Sequence, residues 1–77
     1  MCLYPKIDIV QTSENIRNGL RKDGMTVNEF AKLMSVSSRT IERWIYGYTL
    51  PSISKIILIA HLFDVTLDDL IAVKMMR

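Results

Sequence analysis

Between Thr26 and Gly47 the apolar positions fall into two short helical stripes that meet at a turn. Phe30, Ala31 and Met34 lie at i, i+1 and i+4, one face of a first helix; Ile41, Trp44 and Ile45 lie at i, i+3 and i+4 of a second. Both helices carry start signals. Thr26 with Glu29 three residues on forms a capping box, in which the hydroxyl takes an orphan N–H and the carboxylate reaches back to the cap. Ser37 is the natural N-cap of the second helix. Ala31 is small where two steeply crossing helices need close approach, and Val36 fits the corner between them. The pattern predicts a helix-turn-helix.

The flanking stretches read as further short helices. A first helix is expected from Thr12 or Ser13 to about Lys22, with Ile16 and Leu20 inward and Gly24 ending it. Gly19 inside it costs about 1 kcal/mol against Ala and marks close packing. Pro51 and the N-cap Ser52 open a fourth helix, Ile53 to Leu62, whose buried face is read as Ile53, Ile56, Ile57 and Ala60. Thr66 caps a fifth, where Asp68 and Asp69 suit the positive end of the dipole and Leu67, Leu70, Ile71 and Val73 form the apolar side. Residues 1 to 11 differ: Pro5 biases Tyr4 towards extended backbone, and Ile7 and Ile9 alternate with Lys6, Asp8 and Val10 as in a short strand. A lone strand needs a partner for its backbone groups. Pairing with the same segment of a second subunit and lying as an arm along the bundle both answer that need, and the arm is preferred. The division is therefore an extended arm over 1–11, one domain over 12–74 and a tail over 75–77, and the fold class is all-α, a compact five-helix bundle.

Length and composition bound the chemistry. Seventy-seven residues make one domain near the lower limit for a core without staples, and the 49% apolar fraction argues against disorder. One cysteine, Cys2, excludes an internal disulfide, and with the lone His61 it cannot build a zinc site. His61 is read as an ordinary helix residue. No leader pattern is evident, and the longest apolar run, Ile56 to Ala60, falls far short of the ~20 residues of a membrane span. A soluble intracellular protein is expected. No serine, histidine and acid set, no paired carboxylates outside a helix start and no phosphate-cradling glycine loop occurs, so no enzyme, cofactor or small-molecule substrate is expected. Net charge is only +2, yet residues 17–55 hold seven basic and three acidic groups, and residues 56–77 two basic and three acidic. The positive potential sits on the stretch that contains the helix-turn-helix.

With the apolar stripe of the second helix turned inward, Ser38, Arg39, Glu42 and Arg43 remain outside over its first two turns. A helix that enters the major groove of DNA by its N-terminal end reads bases from such positions. Arginine bonds guanine O6 and N7 together, glutamate accepts from cytosine N4, and serine does either job. At Thr26, Phe30, Ala31, Val36, Ser37, Thr40, Ile41, Trp44, Gly47, Pro51 and Ser52 the chain resembles the Cro and lambda-repressor (Xre-type) family of DNA-binding domains. The resemblance runs over roughly residues 14–72. Single pieces of it are weak; the ordered series at fixed spacing is specific. It implies a lambda-repressor-like bundle, a bacterial or phage origin and a cytoplasmic location.

The chain also departs from that pattern. Val27 stands where the family usually has a glutamine that contacts phosphate and buttresses the recognition helix, and Ser35 replaces the usual turn glycine. Ile45 replaces a frequent glutamate, and Tyr46, Tyr48 and Thr49 occupy a loop often rich in asparagine and basic residues. The resulting expectation is a sequence-specific transcriptional repressor on double-stranded DNA, acting as a homodimer. Its base readers are Ser38, Arg39, Glu42 and Arg43, and its backbone contacts Arg17, Thr26, Ser37, Thr40, Tyr46, Tyr48 and Lys55. For Arg17, as for Arg21, an ordinary solvated helix charge is the equal alternative, and exposed loop tyrosines are the alternative for Tyr46 and Tyr48. At the level of function the alternative is a protein-interaction module, an antitoxin or adaptor, favoured by the missing clamp residue and the apolar arm.

Overall fold

The computed structural model describes residues 4–76. Cys2, the first residues of the arm and Arg77 lie outside them. The order is β1 (Tyr4–Ile7), α1 (Ile9–Lys22), α2 (Val27–Met34), α3 (Ser38–Ile45), α4 (Ile53–Phe63), α5 (Leu67–Leu70) and β2 (Val73–Met76). Five helices are present as expected, though α1 is longer at 14 residues and α5 is a single turn of four.

The caps explain most of these limits. Thr26, Ser37, Ser52 and Thr66 each accept a hydrogen bond from the backbone N–H three residues on, at the positions read from sequence. The start of α1 is the exception. Asp8 caps it by accepting from Gln11 N at 3.1 Å, so the helix begins before Thr12 and Ser13, and both of these are buried. A carboxylate at the exit of β1 thus takes precedence over the two hydroxyls downstream. Thr12 is used differently: its hydroxyl accepts from Ala72 N at 3.0 Å and ties the far end of the chain to α1.

Helices α1 to α4 share one ending. The left-handed residue comes directly after the helix in α2 and α4 (Ser35, Asp64) and one residue later in α1 and α3 (Gly24, Gly47). Two backbone bonds close the Schellman arrangement: Met25 N to Leu20 O (2.9 Å), Val36 N to Ala31 O (3.0 Å), Tyr48 N to Arg43 O (2.9 Å) and Val65 N to Ala60 O (3.0 Å) are the longer-range partners. Gly24 and Gly47 supply the conformation without a Cβ penalty; Ser35 (φ 57°) and Asp64 (φ 56°) adopt it with one. Ser35 therefore enters the left-handed region that the missing turn glycine would have served.

The core joins Ile16 and Leu20 of α1, Phe30, Ala31 and Met34 of α2, Ile41, Trp44 and Ile45 of α3, Ile56, Ile59 and Ala60 of α4, and Leu70. Phe63 stacks on Phe30 at 5.6 Å between ring centroids, and a Cβ on Gly19 would run into the Phe63 ring. That contact is why glycine stands mid-helix. The expected inner face of α4 needs correction. Ile56 and Ala60 are buried, but Ile53 is 63% and Ile57 53% exposed, and Ile59 takes their place. A helix with apolar residues on nearly every side carries no periodic signal to choose its face.

The chain ends also differ from expectation. β1 neither lies as a free arm nor waits for a second subunit. It pairs antiparallel with β2, with Lys6 opposite Lys74 and Ile7 opposite Val73, and Asp8 N continues the pairing to Ala72 O at 2.8 Å. Val73, expected on the apolar side of the fifth helix, is in this strand and exposed, and the strand runs on through Met75 and Met76, where a tail is expected. The physical reason is that an extended segment must satisfy its N–H and C=O groups, and α5 stops too soon to carry Val73 in a helix.

Candidate nucleic-acid interface

The helix-turn-helix is built by two short helices that present opposite chemistry on opposite sides. On α3, Ile41, Trp44 and Ile45 are buried, while Arg39, Glu42 and Arg43 are exposed. These three outward residues line one concave patch of about 390 Å³ with Tyr46, Tyr48 and Thr49 of the exit loop. Tyr46 is 63% and Tyr48 77% exposed. Gly47 (φ 79°) folds that loop back beside the helix, over Ser13 of α1. Thr49, named from sequence only as a departure in this loop and not as a contact residue, joins the patch; its place in the loop after a helix ending at a left-handed glycine is the signal for it.

The other sequence-predicted residues divide by what their polar atoms already do. Ser37 Oγ accepts from Thr40 N at 3.2 Å and meets Thr40 Oγ1 at 3.0 Å, so these two hydroxyls close the start of α3. Thr26 and Glu29 complete the capping box of α2 at 3.1 Å in each direction. The bond from Thr26 N–H, then that from its hydroxyl, with the nearby Lys32 charge adding, holds the Glu29 carboxyl below the usual glutamate range. Ser38 is half-buried, and its hydroxyl donates to Asn28 Oδ1 at 2.6 Å.

Arg17 and Lys55 do not project as isolated charges. Arg17 Nη1 donates to the carbonyl of Ile45 at 3.1 Å, and Lys55 Nζ to that of Met34 at 2.7 Å. Each cation thus sits on the last carbonyl of a helix, where the dipole is negative and the acceptor lacks a helical partner. Arg17 fastens α3 to α1, and Lys55 fastens α2 to α4. Sequence reasoning missed this use, because nothing in the spacing brings residue 17 to residue 45.

Asn28 is the second residue missed. Val27 is half-buried against the core, and the side-chain link between the starts of α2 and α3 comes from its neighbour instead.

A family model for helix-turn-helix domains, HTH_3, matches residues 16–70. The chain belongs to this Cro/C1-type helix-turn-helix family. Its solved structural neighbours agree with that placement. The chain is similar to a transcriptional regulator from Listeria innocua, at 31% identity and TM-score 0.76 over 79% of this chain and 57% of that one. It is also similar to the SOS-response transcriptional repressor LexA from Eubacterium rectale, at 33% identity and TM-score 0.74 over 79% of this chain and 65% of that one. The chain thus spans less than two thirds of the length of either. The restriction-modification controller protein C.AhdI from Aeromonas hydrophila shares the fold, at 19% identity and TM-score 0.73 over 82% of this chain and 96% of its own. No curated protein matches. The lambda-repressor-like bundle is therefore the fold of this member, with a two-stranded ribbon added from the chain ends.

Proposed function

We propose that the chain is a sequence-specific double-stranded DNA-binding transcriptional regulator of the repressor type that reads the major groove with α3. The observation that carries this reading is the two-sidedness of α3. A buried indole and two isoleucines pin one side, so two guanidiniums and a carboxylate stand out together on the other. Arg39 and Arg43 suit guanine, Glu42 suits cytosine N4, and Ser38 stands at the helix start. Tyr46 and Tyr48 offer hydroxyls to phosphate from the rim of the same patch. Arg17 and Lys55, each with one N–H on a helix-end carbonyl, retain further donors for phosphate, and the hydroxyls of Thr26, Ser37 and Thr40 border the same helix starts. The working form in this reading is a cytoplasmic homodimer on two half-sites about one helical turn apart. No reaction or cofactor enters it.

The test is selection of bound sequences from a random duplex pool, followed by affinity measurements on the selected site. Arg39→Ala and Arg43→Ala are each expected to lose about 1–3 kcal/mol and to relax preference at one base pair. Parent-like binding by both variants would remove them as readers.

The second reading, a protein-interaction module, draws on the exposed Ile53 and Ile57, one turn apart on α4. A salt titration separates the two, since counterion release gives DNA binding a steep fall of log affinity with log salt concentration.

A further inference from the structure

The contact between Asn28 and Ser38 has a chemical polarity. A serine hydroxyl carries one proton and two lone pairs, so it ordinarily reads a donor or an acceptor with equal ease. Here the proton is committed to Asn28 Oδ1 at 2.6 Å, the short distance of a well-formed O–H···O bond. Ser38 is the first residue of α3 and Asn28 the second of α2, so the pair lies at the end of the helix proposed to enter the groove. With its proton spent, Ser38 Oγ has only lone pairs left to offer outward.

We propose that Asn28 is a specificity-determining residue that turns Ser38 into an obligate acceptor, so that Ser38 selects the amino bases, adenine and cytosine, over the keto bases, guanine and thymine. In the major groove the amino bases present N6–H₂ or N4–H₂ donors, whereas guanine presents O6 and N7 and thymine O4, all acceptors. Two acceptors facing each other leave both unsatisfied, so a keto base costs affinity at that position. Asn28 acts through Ser38 and need not touch the base. The inference rests on the major-groove reading of α3 and sharpens it at one base pair.

The experiment measures the affinity of the parent, Ser38→Ala, Asn28→Ala and Asn28→Asp for the selected duplex and for its single-base-pair variants. The base pair concerned is the one whose preference collapses in Ser38→Ala. At that pair the parent is expected to favour adenine or cytosine about fivefold over guanine or thymine. Asn28→Ala frees the hydroxyl to donate or accept and should bring the preference below about twofold. Asn28→Asp still accepts the Ser38 proton; it should keep the preference while its negative charge lowers affinity for every sequence alike. Asn28 is exposed, and a melting curve for each variant checks that the fold is intact. A role confined to bracing the two helices would change affinity equally for all four bases. That result, a parent preference for a keto base, or an unaltered preference in Asn28→Ala overturns the assignment while leaving DNA reading by α3 in place. A parent that binds no duplex overturns both.

Discussion

The helix-turn-helix and the terminal ribbon are held together by opposite kinds of information. From Thr26 to Gly47 the contacts that set where the helices begin and turn are local or nearly so: a capping box across three residues, a second N-cap, a left-handed turn at Ser35 and two apolar stripes that find each other across that turn. In the ribbon, Tyr4–Ile7 pairs with Val73–Met76, the two ends of the described chain. No spacing rule links those segments. Ile7 and Val73 stay exposed, and two lysines face one another. The first region is specified by its own residues, and the second only by what the rest of the bundle leaves beside it.

The contrast is broken most severely at Trp44. The indole is buried and fixes α3 to the core, so Trp44→Ala should cost about 3–5 kcal/mol. Loss of the cooperative urea transition, followed by circular dichroism, is the expected readout; a fully cooperative transition at the parent midpoint would contradict it.

Next in size is the turn itself. Left-handed backbone costs a residue with a Cβ about 1–2 kcal/mol, and glycine gives back about 0.5–1 in chain entropy. Ser35→Gly should therefore raise stability by about 0.5–1 kcal/mol. Gly47→Ala, at φ 79°, should lower it by a similar amount. A destabilised Ser35→Gly protein in thermal melting would mean that the serine side chain contributes something beyond its conformation.

The ribbon should respond far more weakly. Lys6 and Lys74 sit directly opposite and both are exposed, so Lys74→Glu replaces a repulsion with an attraction worth roughly a few tenths of a kcal/mol. The gain should fade as salt is raised, since exposed charges are screened. An effect as large as that at Ser35, or one insensitive to salt, would show that the ribbon governs the stability of the whole.

The smallest effect is read as a slope. The folded-state pKa of Glu29 is depressed by its bonds to Thr26, so its share of stability is present above the unfolded pKa and is lost as pH falls through the folded value. Glu29→Gln keeps an acceptor for the Thr26 N–H and removes the titration. Stability measured through the acid range should then decline less steeply than in the parent; identical acid limbs would assign the dependence to other carboxyls.

Legibility followed range. The capped starts of α2 to α5, the inward Ile41, Trp44 and Ile45, and the outward Arg39, Glu42 and Arg43 were all readable, because each rests on neighbours within about one turn. Gly19 was readable as a packing glycine, though not as the seat of the Phe63 ring. The start of α1 was misjudged because Asp8 competes for the cap, and the inner face of α4 because isoleucines surround it. Asn28 escaped notice because its partner Ser38 lies across the turn on another helix.

By itself the sequence determined two capped helices, the turn between them, and which side of the second helix is apolar. Hydrogen bonds three residues apart and stripes with the helical period act before any distant contact forms, so those features needed no knowledge of the rest. Tertiary structure alone decided that the chain ends pair, that Arg17 and Lys55 close the ends of α3 and α2, and that the Ser38 proton points to Asn28. Each of these joins groups remote along the chain, and only the packed bundle brings them within bonding distance.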